Sequence, residues 1–163
     1  MGRDENLQIF YIDGQSQGNE QNSLPRNAKI AIAYTESSSQ IDPSKFRIYW
    51  QPIGDRTNNE AEYYALLKAL TLAEERWTDK TTGKVLDGIG EILIRSDSQL
   101  VVNQVNGAWR VEHSKLLELS EKARESVKNL GNVRLEWVPR EENYAGLWLE
   151  GKLKPSSIER IRG

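Results

Sequence analysis

The feature that most constrains the fold is a change of hydrophobic period near residue 58. Before it lie three short segments rich in aromatic and β-branched residues. They are Leu7 to Asp13 (LQIFYID), Lys29 to Thr35 (KIAIAYT) and Lys45 to Gln51 (KFRIYWQ). Each reads as a strand. Asp13-Gly14 is expected to end the first, and the polar stretch from Gly14 to Asn27 to form a loop. From Asn58 to Trp77 the apolar residues Ala61, Tyr64, Ala65, Leu67, Leu70, Leu72 and Ala73 recur at helical spacing, with Thr57 or Asn58 as N-cap. One chain therefore carries a meander of extended segments followed by a helix long enough to cover them.

The second half alternates. Glu91 to Ile94 (EILI) is a short strand. Ser96-Asp97-Ser98 opens a short helix through Val101, Val102 and Val105, stopped near Gly107. Glu112 to Leu130 is an amphipathic helix carrying Leu116, Leu117, Leu119 and Val127. Asn132 to Val138 (NVRLEWV) is a final strand, broken by Pro139, and Asn143 to Leu153 is the last helix. The order β-β-β-α-β-α-α-β-α predicts an α/β fold. Its mixed five-stranded sheet has three antiparallel strands and then two parallel ones reached through right-handed helical crossovers. Residues 1–153 read as one domain, and 154–163 as a polar, frayed C-terminal tail.

At 163 residues the chain can bury a core without staples. It has no cysteine, which excludes disulfides and thiolate metal sites. No apolar run is long enough to span a bilayer, and MGRDENLQ lacks a signal-peptide core. A soluble, cytoplasmic protein is the expectation, with a monomer the simplest state. The net charge of −2 runs against the usual basic balance of nucleic-acid binders. Clustered metal-binding carboxylates would account for part of it. Arg110, Lys115, Lys122, Arg124 and Arg140 could still form local basic patches.

The chemistry lies in where the acids fall. Asp13 sits at the end of the first strand, Asp97 just past the end of the fourth, and Glu62 in the opening turns of the long helix. If the first and fourth strands are parallel neighbours, both aspartates face one crevice outside the strand ends, where open α/β sheets place their sites. Three such carboxylates repel one another unless divalent cations compensate them. All-oxygen ligands suit Mg2+ or Mn2+. Two ions could clamp the attacking and leaving oxygens of a phosphodiester displacement.

The strings around these acids go further. Asp13 lies in DGQSQGN, Glu62 in TNNEAEY and Asp97 in SDSQLV, and the last strand leads into WVPREEN. In this order and at these separations they resemble type 1 ribonuclease H, from roughly Gln8 to Leu149. The resemblance implies a ribonuclease H-like fold and hydrolysis of the RNA strand of RNA–DNA hybrids, leaving 5'-phosphate and 3'-hydroxyl ends. It also implies Asp13, Glu62 and Asp97 as catalytic metal ligands. The family's glutamate follows TNN by three positions, which selects Glu62; Glu60 is then an ordinary acid at a helix N-terminus. Asn19, Asn58, Asn59 and Gln99 match positions that contact the minor groove of the hybrid. Amides there can both donate to and accept from 2'-hydroxyls and base edges.

One position departs. The resemblance places a fourth carboxylate, an aspartate, at the start of the last helix, whereas this chain reads PREENYAGLWLE. A simple alignment puts Gly146 there. A shortened loop puts Asn143 there instead, as a carbonyl ligand or as a helix N-cap. Glu142 ranks next as a ligand, and no fourth ligand after that, while Arg140, Glu141 and Glu142 could assist from the loop. His113, the single histidine, reads as an ordinary surface or packing residue, and Trp50 and Trp137 as core. Trp109 and Arg110 lie where some family members carry a basic, tryptophan-rich protrusion. A relative that binds hybrids without cutting them, an enzyme acting on another nucleic acid, and a purely structural domain are the rival readings.

Overall fold

A computed structural model describes residues 7–17, 26–36, 41–84 and 90–162. The strands are β1 (Gln8–Gln17), β2 (Asn27–Glu36), β3 (Arg47–Gly54), β4 (Ile92–Ser96), β5 (Val133–Trp137) and β6 (Ser157–Arg160). The helices are α1 (Asn58–Trp77), α2 (Gln99–Val105), α3 (Ser114–Leu130) and α4 (Tyr144–Leu149). They build one mixed sheet in the order β5-β4-β1-β2-β3-β6. β1, β2 and β3 form the antiparallel meander, and β4 and β5 join β1 in parallel. This is the predicted mixed α/β architecture with six strands instead of five.

The extra strand corrects the reading of residues 154–163 as frayed. Ser157–Arg160 pairs in parallel with Arg47–Trp50. The ladder is flanked by Ser156 N donating to Phe46 O and Ile161 N donating to Trp50 O. Every β6 side chain is exposed, so no apolar alternation announced it; backbone pairing holds it, with Arg160 lying over the Trp50 ring. β1 also continues past Gly14 to Gln17, where a loop was expected, because Gly14 to Gln17 pair with Ile30 to Asn27. The helix expected from Glu112 begins at Ser114, where His113 is the N-cap and its Nδ1 accepts from Leu116 N.

β1 is covered on both faces, which explains its unbroken apolar run. Phe10 and Ile12 face the larger core with Tyr63, Leu66 and Leu70 of α1 and Leu116 and Leu119 of α3. Ile9 and Tyr11 face the smaller core with Phe46, Ile48 and Ala145, bordered by Tyr144 and Trp148 of α4. Each fully buried Ile or Leu here contributes about 1.5–3 kcal/mol. In α1 the stripe Ala61, Ala65, Ala69 and Ala73 is fully buried, and its small side chains let the helix lie close to the sheet. Tyr64, Leu67 and Leu72 form a half-buried rim. No helix among the described residues is long and apolar enough to cross a membrane.

Candidate active site

The last parallel β1–β4 pair is Ile12 with Ser96. The next residues are Asp13 and Asp97, so both acids stand just beyond the parallel ladder. By strand alternation Asp13 shares the face of Ile9 and Tyr11, toward α4. Gly14 takes the opposite face, under α1. A Cβ at Gly14 would lie 2.2 Å from Ala61 C and 2.5 Å from Glu62 N. Only hydrogen there lets the helix come this close. The close approach also aims Glu62 back at the strand, and its Oε1 accepts from Gly14 N at 2.6 Å. Thr57 and Glu60 fix the start of α1 with a capping box. Glu60 thus has a structural task, and Thr57 rather than Asn58 is the cap.

Asp13, Glu62 and Asp97 each present an oxygen within 4.8 Å of the others'. Asp13 is 1% exposed, and its Oδ1 is buried without a hydrogen-bond partner. Burial, reinforced by the charge of Asp97, pushes the Asp13 carboxyl up to about 7. Burial and then Asp13 push Glu62 well above the usual carboxylate range. Even with Arg140 nearby, burial and mutual repulsion favour the protonated form of these acids unless a divalent ion compensates them. An all-oxygen donor set with one orphaned, desolvated carboxylate oxygen fits a hard divalent ion.

At the fourth position Asn143 is engaged in hydrogen bonds on both ends of its amide. Asn143 is fully buried and caps α4, its Oδ1 accepting from Ala145 N and Gly146 N. Its Nδ2 donates to Ile12 O at 2.8 Å and to Asp97 Oδ2 at 3.1 Å. The oxygen is turned into the helix and the amide hydrogens toward the acids. Gly146 lies nearer the cluster than its lack of a side chain suggested: a Cβ there would sit 3.3 Å from Asp13 Oδ2. Glu141 and Glu142 are exposed in a 3-10 turn at Arg140–Glu142. Among the described residues, the carboxylates close enough to share an ion are Asp13, Glu62 and Asp97.

Arg140, proposed from sequence only as a loop assistant, reaches the acids. Its Nη1 lies 3.4 Å from Asp97 Oδ2 and 4.0 Å from Asp13 Oδ1, while Nη2 lies 3.0 Å from Glu150 Oε1. Glu150, at the end of α4, gave no signal in the sequence. Asn58, Asn59 and Gln99 are exposed at the starts of α1 and α2. Asn58 Oδ1 also accepts from Ser16 N, tying α1 to β1. Asn19 lies outside the described residues. Trp137 corrects the core reading: it is 45% exposed, and its indole donates to Asp97 O. Trp50 is half-buried, against Trp148 and Arg160. Trp109 is exposed beside Arg110.

The family model described as "Reverse transcriptase-like" matches residues 49–149, most of the chain. The chain belongs to this reverse transcriptase-like family. The chain is 34% identical over 135 residues to the bifunctional protein Rv2228c of Mycobacterium tuberculosis, covering 83% of this chain and 32% of that protein. It is 32% identical over 133 residues to ribonuclease HI of Halobacterium salinarum, covering 82% of this chain and 57% of that protein. The chain thus spans about a third and somewhat over half of these relatives' lengths. The fold resembles LC11-RNase H1, solved in complex with an RNA/DNA hybrid, with a TM-score of 0.66, 29% identity and coverage of 83% and 88% of the two chains. The resemblance to type 1 ribonuclease H read from four short strings thus holds over fold and sequence alike.

Proposed function

We propose that the chain is a divalent-metal-dependent endonuclease that hydrolyses the RNA strand of RNA–DNA hybrids, leaving 5'-phosphate and 3'-hydroxyl ends. The observation that carries this is the convergence of Asp13, Glu62 and Asp97 within 4.8 Å, with Asp13 Oδ1 buried and unpartnered. Similarity to ribonuclease HI and to a hybrid-bound RNase H1 supports the substrate class.

Bound Mg2+ or Mn2+, two ions with substrate present, would supply charge stabilisation for the attacking and leaving oxygens of an in-line displacement. Asp13, Glu62 and Asp97 hold that charge in place. Gly14 N–H fixes the Glu62 carboxylate, and Asn143 fixes Asp97 by donating to it. Asn143 thereby acts as a positioning residue in place of the oxygen ligand that the sequence suggested. The exposed amides of Asn58, Asn59 and Gln99, with Asn19, would read the hybrid's minor groove through 2'-hydroxyls and base edges. A monomer belongs to the same proposal, as does a reducing cytosol, with which the cysteine-free composition is compatible.

The test is cleavage of an end-labelled hybrid with each metal, beside single-stranded RNA, duplex RNA and duplex DNA, with Asp13→Asn as control. Cuts confined to the RNA of the hybrid and lost in the control are expected. Cutting that survives in the control overturns the assignment. Binding without cutting would favour a silenced, hybrid-binding relative, a reading to which the amide and the glycine near the fourth position lend support.

A further inference from the structure

The carboxylate cluster already has a cation of its own. Arg140 leaves the 3-10 turn after β5 and brings Nη1 to 3.4 Å from Asp97 Oδ2 and 4.0 Å from the orphaned Asp13 Oδ1. Its other edge is taken by Glu150, whose Oε1 accepts from Nε at 3.1 Å and lies 3.0 Å from Nη2. Glu150 is steadied in turn by Lys152 at 3.1 Å. Among the described residues Arg140's acidic partners are these three. A guanidinium is planar and its donors point in fixed directions. Two of its nitrogens on one carboxylate therefore dictate where the third points, and it points at the site.

We infer that Arg140 is a resident cation that competes with a divalent ion for Asp97 and Asp13, and that Glu150 is the positioning residue that aims it. The inference rests on the metal-site reading above. Three facts support it. At Gly146, where a Cβ would lie 3.3 Å from Asp13 Oδ2, there is no side chain to add a fourth negative charge. The Arg140 side chain is 52% exposed while that of Asp13 is 1% exposed, so the guanidinium covers the cluster from its solvent side. Asp97 Oδ2 takes donors from both Asn143 and Arg140, so a cation approaching that oxygen displaces the more mobile of the two. Because Arg140 is half-exposed, the pair is weak. It opposes the ion without excluding it, and a dication outcompetes a single charge at the same distance.

The experiment is Mn2+ binding to the full, metal-stripped chain, followed by electron paramagnetic resonance of the free ion. The proteins are the wild type, Arg140→Ala, Glu150→Gln and Asp13→Asn, each checked for folding by circular dichroism. Arg140→Ala is expected to tighten Mn2+ binding by roughly two- to fivefold. Glu150→Gln should tighten it by a smaller factor, since the released guanidinium swings into water. A merely electrostatic Glu150 would do the reverse, because losing a nearby negative charge weakens cation binding. Unchanged or weaker binding in Arg140→Ala overturns the inference, and the same result in Glu150→Gln removes its positioning role. Should Arg140→Ala fail to fold, Arg140→Gln, which keeps a polar side chain, carries the same expectation. The Asp13→Asn control separates the two levels. If wild-type binding survives that substitution, the metal-site reading itself falls. If binding needs Asp13 yet ignores Arg140, only the competition falls.

Discussion

Replacing Asn143 by aspartate separates two roles that look alike in sequence. If the residue were an oxygen ligand, Asn143→Asp would add charge where the resemblance places a carboxylate and improve the site. In the structure its Nδ2 is instead a donor to Ile12 O and Asp97 Oδ2, at a position with no solvent exposure. A carboxylate keeps the N-cap but has no hydrogen to give. The bond to a charged acceptor is worth about 1.5–3 kcal/mol, and a stranded buried carbonyl costs about 1–3 kcal/mol. A negative charge at the N-terminus of α4 returns about 0.3–1 kcal/mol. The net loss is about 2–5 kcal/mol, a large share of the roughly 5–15 kcal/mol that holds a domain together. Urea unfolding in chelator at about pH 8 measures it. The sign of its pH dependence is diagnostic. An ionised carboxyl has no hydrogen to give and a protonated one does, so the deficit is expected to be larger at alkaline pH and to shrink on acidification. A variant in chelator as stable as wild type, or more so, would refute the donor assignment and return Asn143 to the ligand set.

Other consequences follow from the same geometry. Gly14→Ala drives a methyl group into the backbone of Ala61 and Glu62. It should cost at least the ~1–3 kcal/mol of ordinary overpacking and weaken Mn2+ binding by displacing Glu62; wild-type stability and metal affinity together would remove this account. Asp13 is raised from 3.8 to about 7 in the folded state. Its proton therefore contributes stability that is complete below the unfolded value and lost as pH rises through about 7. Metal-free stability should fall across that window and Asp13→Asn should flatten the fall, whereas a flat wild-type profile in chemical unfolding contradicts it. Deleting residues 156–163 removes the β6 ladder and its flanking bonds. It should lower stability by about 1–3 kcal/mol, and an unchanged unfolding midpoint would show that the edge strand contributes nothing.

Much of the fold was legible because it follows from local patterns. The change from extended segments to a helical repeat near residue 58 set the element order. The apolar segments of β1 and β4 lead into Asp13 and Asp97, which the parallel pairing leaves side by side just beyond its last pair, although β1 itself runs on to Gln17. Glu62 was legible through the TNNEAEY string. β6 was not, since its side chains are all exposed and only an open edge on β3 recruits it. Gly14 looked like a stop because Asp-Gly favours turns, yet hairpin pairing carried the strand through it. Trp137 alternates like a core residue, but β5 is the sheet's outer strand and leaves it exposed.

Residue types and their spacing thus gave the extended segments that carry Asp13 and Asp97, because periodicity is a property of a few adjacent residues, and the TNNEAEY string added Glu62. That the first and fourth strands pair in parallel and bring the acids together was decided by the tertiary structure. Residue types and spacing could not determine which end of the Asn143 amide faces those acids, nor that Arg140 reaches two of them while Glu150 holds its other edge. Those choices belong to contacts between segments far apart in the chain, Asn143 with Ile12 and Arg140 with Asp97. A hydrogen-bond partner is selected by what packing brings within reach, and that exists only once α4 has closed over β1.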